Sequence, residues 1–507
     1  MMNTTTSRAG LAGAVSAGLA LGLTELIAGI SSLVPSAIAS VGGIVIDSSP
    51  GFVKEFAISV FGTADKGALA IGTVIVGVLI GWFVGRASVE RPWVGWTAFG
   101  VFAVLGIAAA RGGVGSNFPL TIVAIAASSV AGALLLRYML GATETPTDGL
   151  ADDTSRRRFL TQAAGVGAVA AVAGLGGRQL IINRSEQVRQ AVSLPAADLT
   201  VPAPPPESMF TGISDLAPII IPNNEFYRID TALVVPRPDP DTWTLKITGM
   251  VDNPLEFTLE ELTNMSLYED YVTLSCVSNE VGGHLVGNAK WTGVRLVELL
   301  DRAGVQDGAE QIFSRSVDGW TSGFPLELAY DGRDPLLAIG MNGEPLPPNH
   351  GFPARLVVPG LYGYVSATKW IEEIELTTWD GVDGYWIPRG WAKEGPIKTQ
   401  SRIDHPRDGE AVSEDPVVIA GVAWAPTLGI ERVEVQVDDG DWVEAEVTTP
   451  LSSKAWVQWR AEVATSAGEH RARVRATDGN GNTQTADETR PAPDGATGRH
   501  EIGFTVA

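Results

Sequence analysis

Tyr271-Val272-Thr273-Leu274-Ser275-Cys276-Val277 is an apolar, β-branched run that ends on the only cysteine in 507 residues. Its composition predicts a strand, which places Cys276 where strand gives way to loop. By residue type alone, Cys276 reads either as a buried small hydrophobe or as a thiolate ligand for a soft metal. A single cysteine excludes an internal disulfide framework and any cysteine-rich zinc or iron–sulfur site. Around it, Trp243-Thr244-Leu245-Lys246-Ile247 alternates as a strand does. Residues 258–264, with Thr258 as N-cap, and 294–303 read as short amphipathic helices. An α+β domain is expected over 207–397.

Further along, 417–423, 430–437, 442–447, 456–463 and 470–476 are short alternating or β-branched pieces. Asp438-Asp439-Gly440-Asp441 and Asp478-Gly479-Asn480-Gly481-Asn482 punctuate them as turns. This spacing predicts an all-β, immunoglobulin-like sandwich over 398–507.

The other end of the chain is apolar. Stretches 11–33, 68–86, 93–110 and 119–140 are each close to the roughly 20 residues that span a bilayer as helix. They are rich in Gly, Ala and Ser, which lets helices approach closely in lipid. An all-α transmembrane bundle of four helices is expected over 1–145. The apolar stretch 34–46 is broken by Pro35, Gly42 and Gly43, and extends the first helix, re-enters the membrane or lies on its surface. Ser155-Arg156-Arg157-Arg158-Phe159-Leu160 precedes a fifth apolar stretch, 161–182. It reads as a twin-arginine export signal or as a cytoplasmic anchor before an ordinary transmembrane helix. This motif, the fifth helix and a Pro-rich tether ending Val201-Pro202-Ala203-Pro204-Pro205-Pro206 make up 146–206.

Topology follows from the arginines. Arg86, Arg91, Arg137 and the 156–158 cluster keep their loops inside, with Arg111 discordant. Five crossings then put everything after 183 outside, so a multi-pass protein of the cell membrane is expected, with its large domains extracytoplasmic. Glu25 is the only acid well within an apolar stretch, and reads as functional or as a packing group. The net charge of -22 argues against nucleic acid as a partner. No His precedes His284 and no Cys-x-x-Cys-His occurs, so no haem is expected in this chain.

The residues after Cys276 narrow the reading. Cys276-Val277-Ser278-Asn279-Glu280 is followed by Asn288-Ala289-Lys290-Trp291-Thr292-Gly293-Val294-Arg295. Then come Met341-Asn342-Gly343-Glu344-Pro345-Leu346-Pro347-Pro348-Asn349-His350-Gly351-Phe352-Pro353-Ala354-Arg355 and Lys369-Trp370-Ile371. This set resembles the sulfite oxidase family of molybdenum enzymes over 222–379, and the sandwich resembles that family's Mo-cofactor oxidoreductase dimerisation domain.

The resemblance implies Mo-molybdopterin as cofactor, with Cys276 as the metal's thiolate ligand. It implies cofactor contacts from Asn224, Tyr227 and Arg228, from Ser316 (Asp318 being the alternative), and from His350 and Arg355. Ser366, Ala367, Thr368 and Lys369 match a segment that cradles the same group through backbone N–H donors and an ammonium. His350 is expected to donate a hydrogen bond to the pterin phosphate, beside a bidentate Arg355. Cys276, Arg228 and Trp320 are the expected catalytic residues. His284 reads as lining the substrate funnel or as a solvated loop residue.

Two positions depart from the sulfite oxidase pattern. Trp320 stands where those enzymes place a tyrosine. Val457, in Ala455-Trp456-Val457-Gln458-Trp459-Arg460, stands where their second domain supplies an arginine, with Arg460 three places on. The implied activity is oxygen-atom transfer on a small sulfur or nitrogen oxo-compound. The implied partners are an oxo-anion or sulfoxide substrate, a separate cytochrome, cupredoxin or quinone-linked electron carrier, and a second copy of the chain. The Asn-Asn-x-Phe-Tyr type of run at 223–227 favours a sulfoxide reductase that repairs exported proteins. A metal-free adhesion or binding module that keeps the fold is the alternative from another class.

Overall fold

The computed structural model describes residues 4–31, 33–49, 65–112, 117–141, 152–232, 234–413 and 416–507. They fall into two compact units, 1–188 with 231–236, and 189–230 with 237–507.

The first unit is helical. Thr4–Ile30, Ala37–Ser48, Asp65–Glu90, Trp93–Ala109 and Phe118–Gly141 precede a 40-residue helix, Asp152–Ala191, which carries the arginine cluster and the fifth apolar stretch without a break. Among the described residues, four helices are long and apolar enough to cross a membrane: Thr6–Ile30, Gly67–Glu90, Phe118–Gly141 and Arg156–Ala191. Trp93–Ala109, expected as the third span, is shorter at 17 residues. The stretch left three ways by its glycines and proline is a separate helix, N-capped by Ser36, whose side chain accepts from the Ala39 N–H. Residues 142–151, which join the fourth expected span to the arginines, lie outside the described residues. Packing is backbone to backbone. A Cβ on Gly13 would lie 2.0 Å from the Gly81 carbonyl oxygen, so only glycine permits this approach. Glu25 is buried, and its carboxylate accepts hydrogen bonds from Ser36 Oγ at 2.6 Å and from the Ile38 N–H at 3.4 Å.

The second unit is β-rich. Its first strands are β1 (Thr244–Gly249), β2 (Leu255–Thr258), β3 (Tyr268–Ser275), β4 (Val286–Arg295), β5 (Gln311–Ser316) and β6 (Thr321–Pro325). β7 (Leu336–Met341), β8 (Glu344–Pro345), β9 (Arg355–Val357) and β10 (Ile371–Thr377) follow. One sheet runs β2-β1-β10-β5-β6, with β1 and β10 parallel; the other runs β3-β4-β7-β8, with β9 also on β7. The helices between them are short. Leu259–Thr263 has a full capping box between Thr258 and Glu261, and Leu296–Ala303 buries Leu296, Leu299, Leu300 and Ala303 on one side.

Nine further strands, β11 (Gln400–His405), β12 (Glu410–Val412), β13 (Val417–Trp424), β14 (Ile430–Val437), β15 (Val443–Glu444), β16 (Glu446–Val447), β17 (Val457–Val463), β18 (Gly468–Asp478) and β19 (Glu501–Val506), form two more sheets. Their orders are β11-β13-β17-β16 and β12-β19-β18-β14-β15. Ile419 and Trp459 from one meet Val433, Val474 and Phe504 from the other in a shared core. The alternation that predicted these strands is the alternation that fills this core.

Candidate functional site

Strand β3 pairs with β4 from Tyr268–Gly293 to Ser275–Val286, and the chain leaves the sheet at Cys276. A short loop then returns it. The Cys276 N–H donates to the Leu285 carbonyl at 2.9 Å, its own carbonyl accepts from the Asn279 N–H at 3.1 Å, and Asn279 Oδ1 accepts from the Leu285 N–H at 2.8 Å. The Cys276 side chain is buried, and its sulfur accepts the Ser278 N–H at 3.4 Å. Burial pushes the thiol pKa up, and the Ser278 contacts oppose this. A metal is the agent that deprotonates such a thiol outright.

The last domain holds this loop from outside. Arg402 on β11, 4% exposed, donates from one Nη to the Gly283 carbonyl at 3.0 Å while Asp404 takes its Nε at 2.6 Å. Gly282 has φ +77°, and a Cβ there would lie 2.1 Å from the His500 ring. His500 accepts the Ile403 N–H at 2.9 Å, and burial holds its pKa down at about 4. His284 is exposed in the same loop, with its pKa pushed down by partial burial and by Arg402.

Aromatic rings brace the other side. Phe226 stacks on Tyr227 at 5.2 Å and meets Trp291 and His350 edge-on, at 5.8 and 5.5 Å. Burial, then the proximity of Cys276, drives the Tyr227 hydroxyl pKa well up, and Arg355 opposes them.

The cations gather where β9, the turn before it and the segment before β10 meet. Arg355 is 5% exposed and lies 5.0 Å over the Trp291 ring. Among the described residues its guanidinium donates only to carbonyls, those of Leu356 at 3.2 Å and His350 at 3.3 Å. Burial lowers its pKa to about 10. Lys369 Nζ donates to Asp230 at 2.7 Å and to the Asn349 carbonyl at 3.2 Å; Arg228 holds the same carboxylate at 2.8 Å. Burial brings Lys369 down to about 8 against the pull of Asp230, with Arg355 and Arg228 adding to the descent. Arg228 and Lys369 thus share the Asp230 carboxylate, and Arg355 pairs with no carboxylate among the described residues. A buried guanidinium without a counter-ion is a receptor for an anion.

His350 is 4% exposed, and its pKa is pushed down to about 4 by burial, with Arg355, Lys369 and Arg228 contributing. It is therefore neutral near pH 7. Its Nε2 lies 2.8 Å from the Asn223 carbonyl, which can only accept, so the proton sits on Nε2 and Nδ1 is left as an acceptor. The expected donation from His350 to a phosphate is corrected accordingly: the free ring nitrogen suits an N–H, such as a pterin offers.

The segment before β10 is corrected in part as well. The Ala367 N–H already donates to the Gly363 carbonyl at 3.0 Å. The Ser366 hydroxyl donates to the Tyr362 carbonyl at 3.0 Å, and Thr368 Oγ1 lies 2.6 Å from Ser314 Oγ and 2.8 Å from Ser322 Oγ. Both hydroxyls serve the fold. Ser316 is buried at the end of β5, where the Val317 N–H donates to the Trp370 carbonyl at 2.9 Å, beside Lys369; Asp318 is exposed. Trp320 is half-buried on the β5–β6 turn, its N–H donating to Asp318 at 3.2 Å. Asn224 is exposed, whereas Asn223 binds Asn342 Nδ2 at 2.8 Å and holds His350. Val457 is buried in the β17 core, and Arg460 pairs with Glu446 at 2.8 Å above the Phe210 ring.

Asp230, Arg402, His500 and Tyr362 were not singled out by sequence. Tyr362 is buried, with its hydroxyl pKa pushed up to about 12 by burial and, in smaller part, by Cys276. Asp230 carried a local signal, two residues after Arg228. The others owe their place to pairings across the domain.

Comparisons with known proteins agree with this chemistry. Residues 232–386 match the oxidoreductase molybdopterin binding domain, and 394–492 match the Mo-co oxidoreductase dimerisation domain. Human mitochondrial sulfite oxidase is 31% identical over 313 residues, 52% of this chain and 56% of the relative, so this chain spans about half the length of that protein. The uncharacterized oxidoreductase YuiH of Bacillus subtilis is 35% identical over 157 residues, 31% of this chain and 76% of the relative. The sulfane dehydrogenase SoxCD of Paracoccus pantotrophus superposes with a TM-score of 0.50 at 24% identity, over 60% of this chain and 85% of that one, a likeness of fold. The matched domains imply Mo-molybdopterin as the cofactor, and a buried thiol at Cys276 together with a buried guanidinium at Arg355 that meets no carboxylate among the described residues fits that group. The chain belongs to the sulfite oxidase-like family of molybdopterin-binding oxidoreductases.

Proposed function

We propose that this chain is a membrane-anchored molybdenum oxidoreductase that transfers an oxygen atom to or from a small sulfur or nitrogen oxo-compound outside the cytoplasm. The observation that carries the reading is Arg355, a buried guanidinium with carbonyl partners alone. When bound, the cofactor supplies a two-electron redox centre for oxygen-atom transfer. The chain's own groups hold it. Cys276 would be the thiolate ligand, Arg355 and Lys369 would meet the phosphate, and His350, whose Nε2 is held by the Asn223 carbonyl, would offer Nδ1 as an acceptor. Tyr227 stacks on Phe226, which meets His350 and Trp291 edge-on, and so braces the side of the site that carries His350. Arg402 and His500 fix the loop that carries the cysteine. Electrons leave singly to a separate carrier, a cytochrome, cupredoxin or quinone-linked protein. The arginine pattern around the apolar helices supports an extracytoplasmic catalytic domain, and the two-sheet C-terminal domain is read as immunoglobulin-like and as the homodimer contact.

A second reading, reduction of an uncharged sulfoxide, is favoured by one observation. The position expected to supply a cation from β17 is Val457, buried in the core, and Arg460 is engaged with Glu446. A pocket short of one cation suits a neutral substrate.

The test uses the full chain, purified in detergent from a host that makes the cofactor. About one molybdenum per chain is expected by mass spectrometry, with loss of turnover in Cys276→Ala. Sulfite oxidation and sulfoxide reduction assayed side by side then separate the two readings. A folded protein without metal from such a host sinks both.

A further inference from the structure

We infer that Asp215, His405 and Glu410 form a binding site for a divalent transition cation of the zinc or manganese class, unrelated to the molybdenum centre. Asp215 lies on the segment that follows the Pro-rich tether, His405 ends β11 and Glu410 begins β12. One ligand atom from each lies within 4.8 Å of the others. A cation held at about 2.1 Å needs its ligand atoms roughly 3.0–4.2 Å apart, so a modest approach of the three side chains closes the set. One imidazole and two carboxylates, with no thiolate, suit Zn²⁺ or Mn²⁺ better than a soft metal or an all-oxygen calcium site.

The imidazole is the second and independent observation. His405 is only 9% exposed, its Nδ1 makes one long contact to Ser214 Oγ at 3.3 Å, and its other ring nitrogen has no hydrogen bond among the described residues. The pairing of β11 with β13 shifts register between Ile403 and His405, an irregularity that re-aims the side chain. A positive charge already sits at this place. The Arg407 guanidinium contacts Asp215, while its backbone N–H donates to Glu410 at 2.7 Å. The Arg407 side chain is 71% exposed, so an arriving cation displaces it into water. The site would strap the tether-side segment to β11, next to the Ala217 N–H, which donates to Asp404 at 3.1 Å.

The full chain, stripped with a chelator and dialysed, is titrated with ZnCl₂ by calorimetry and checked for zinc by mass spectrometry. One Zn²⁺ per chain is expected. His405→Ala and the milder Glu410→Gln weaken binding by more than the roughly 10–100-fold typical of outer-shell changes. Arg407→Ala tightens it, because a competing cation is gone, and Cys276→Ala leaves it unchanged. The Tm rises with zinc in the wild type and not in Glu410→Gln. No uptake by the wild type, unchanged binding in both ligand variants, or weaker binding in Arg407→Ala overturns the assignment. Glu410 is half-exposed, so its variant is read even where His405→Ala fails to fold.

Discussion

The two ends of the candidate site are held by different forces. The cysteine end is fixed by geometry: a loop closed by its own hydrogen bonds, a glycine under His500 and a buried Arg402 from another domain. The cation end is fixed by charge: three cations, one carboxylate and a ring of carbonyls. A geometric clamp is complete without a ligand. A charge cluster that sets one carboxylate against three cations among the described residues is not, and the anion proposed to bind there would finish it.

Six substitutions sharpen or break this contrast. The largest effect belongs to Cys276→Ala, which is expected to abolish turnover while pterin content falls far less, since the cations remain. Chemical release and fluorescence of the pterin, beside metal analysis, measures this. Arg355→Met comes next. It removes an uncompensated buried charge, so the cofactor-free protein gains stability even as cofactor content collapses, by about 2–5 kcal/mol of binding. Asp230→Asn does the reverse to the free protein. It strands Lys369 and Arg228 and costs about 3 kcal/mol in urea unfolding. If both variants destabilise the free protein equally, the contrast fails.

Acidity gives a further test. Lys369 stands at about 8, below its ordinary 10.5. The folded state thus gives up this proton before the unfolded state does, and the group's contribution to stability grows as pH rises from about 8 to 10.5. Anion binding needs the protonated amine, so cofactor affinity falls above about pH 8. Lys369→Met removes both trends, and opposite slopes in wild type minus variant are the expected signature.

At the geometric end, Gly282→Ala forces a side chain into the His500 ring at positive φ. About 1–3 kcal/mol of stability is lost. Arg460→Ala, at a half-exposed pair, changes stability by no more than about 1 kcal/mol.

Much of this was legible in the chain. The strand 430–437 is β14 to the residue, because a half-buried strand writes its period into the sequence. Thr258 as N-cap is confirmed by its capping box. Cys276, Arg355 and Lys369 stood out through motif and residue type, and the structure brings Arg355 and Lys369 together with His350. What stayed hidden was the partner of each group. Arg402 and Gly283 lie 119 residues apart, and nothing local says that they meet. The neutral state of His350 depends on burial and on a carbonyl 127 residues away. The Ala367 N–H, expected among the backbone donors of the cradle, is taken up by the Gly363 carbonyl.

The internal use of Thr368 has its own consequence. Ser314, Ser322 and Thr368 form a closed trio of buried hydroxyls joining β5, β6 and the segment that carries Lys369. None of the three bears a charge. Brine weakens exposed ion pairs and alkali discharges amines, but neither reaches these contacts. In a chain whose net charge is -22, the ammonium of Lys369 is mounted on a pivot that ionic strength does not loosen.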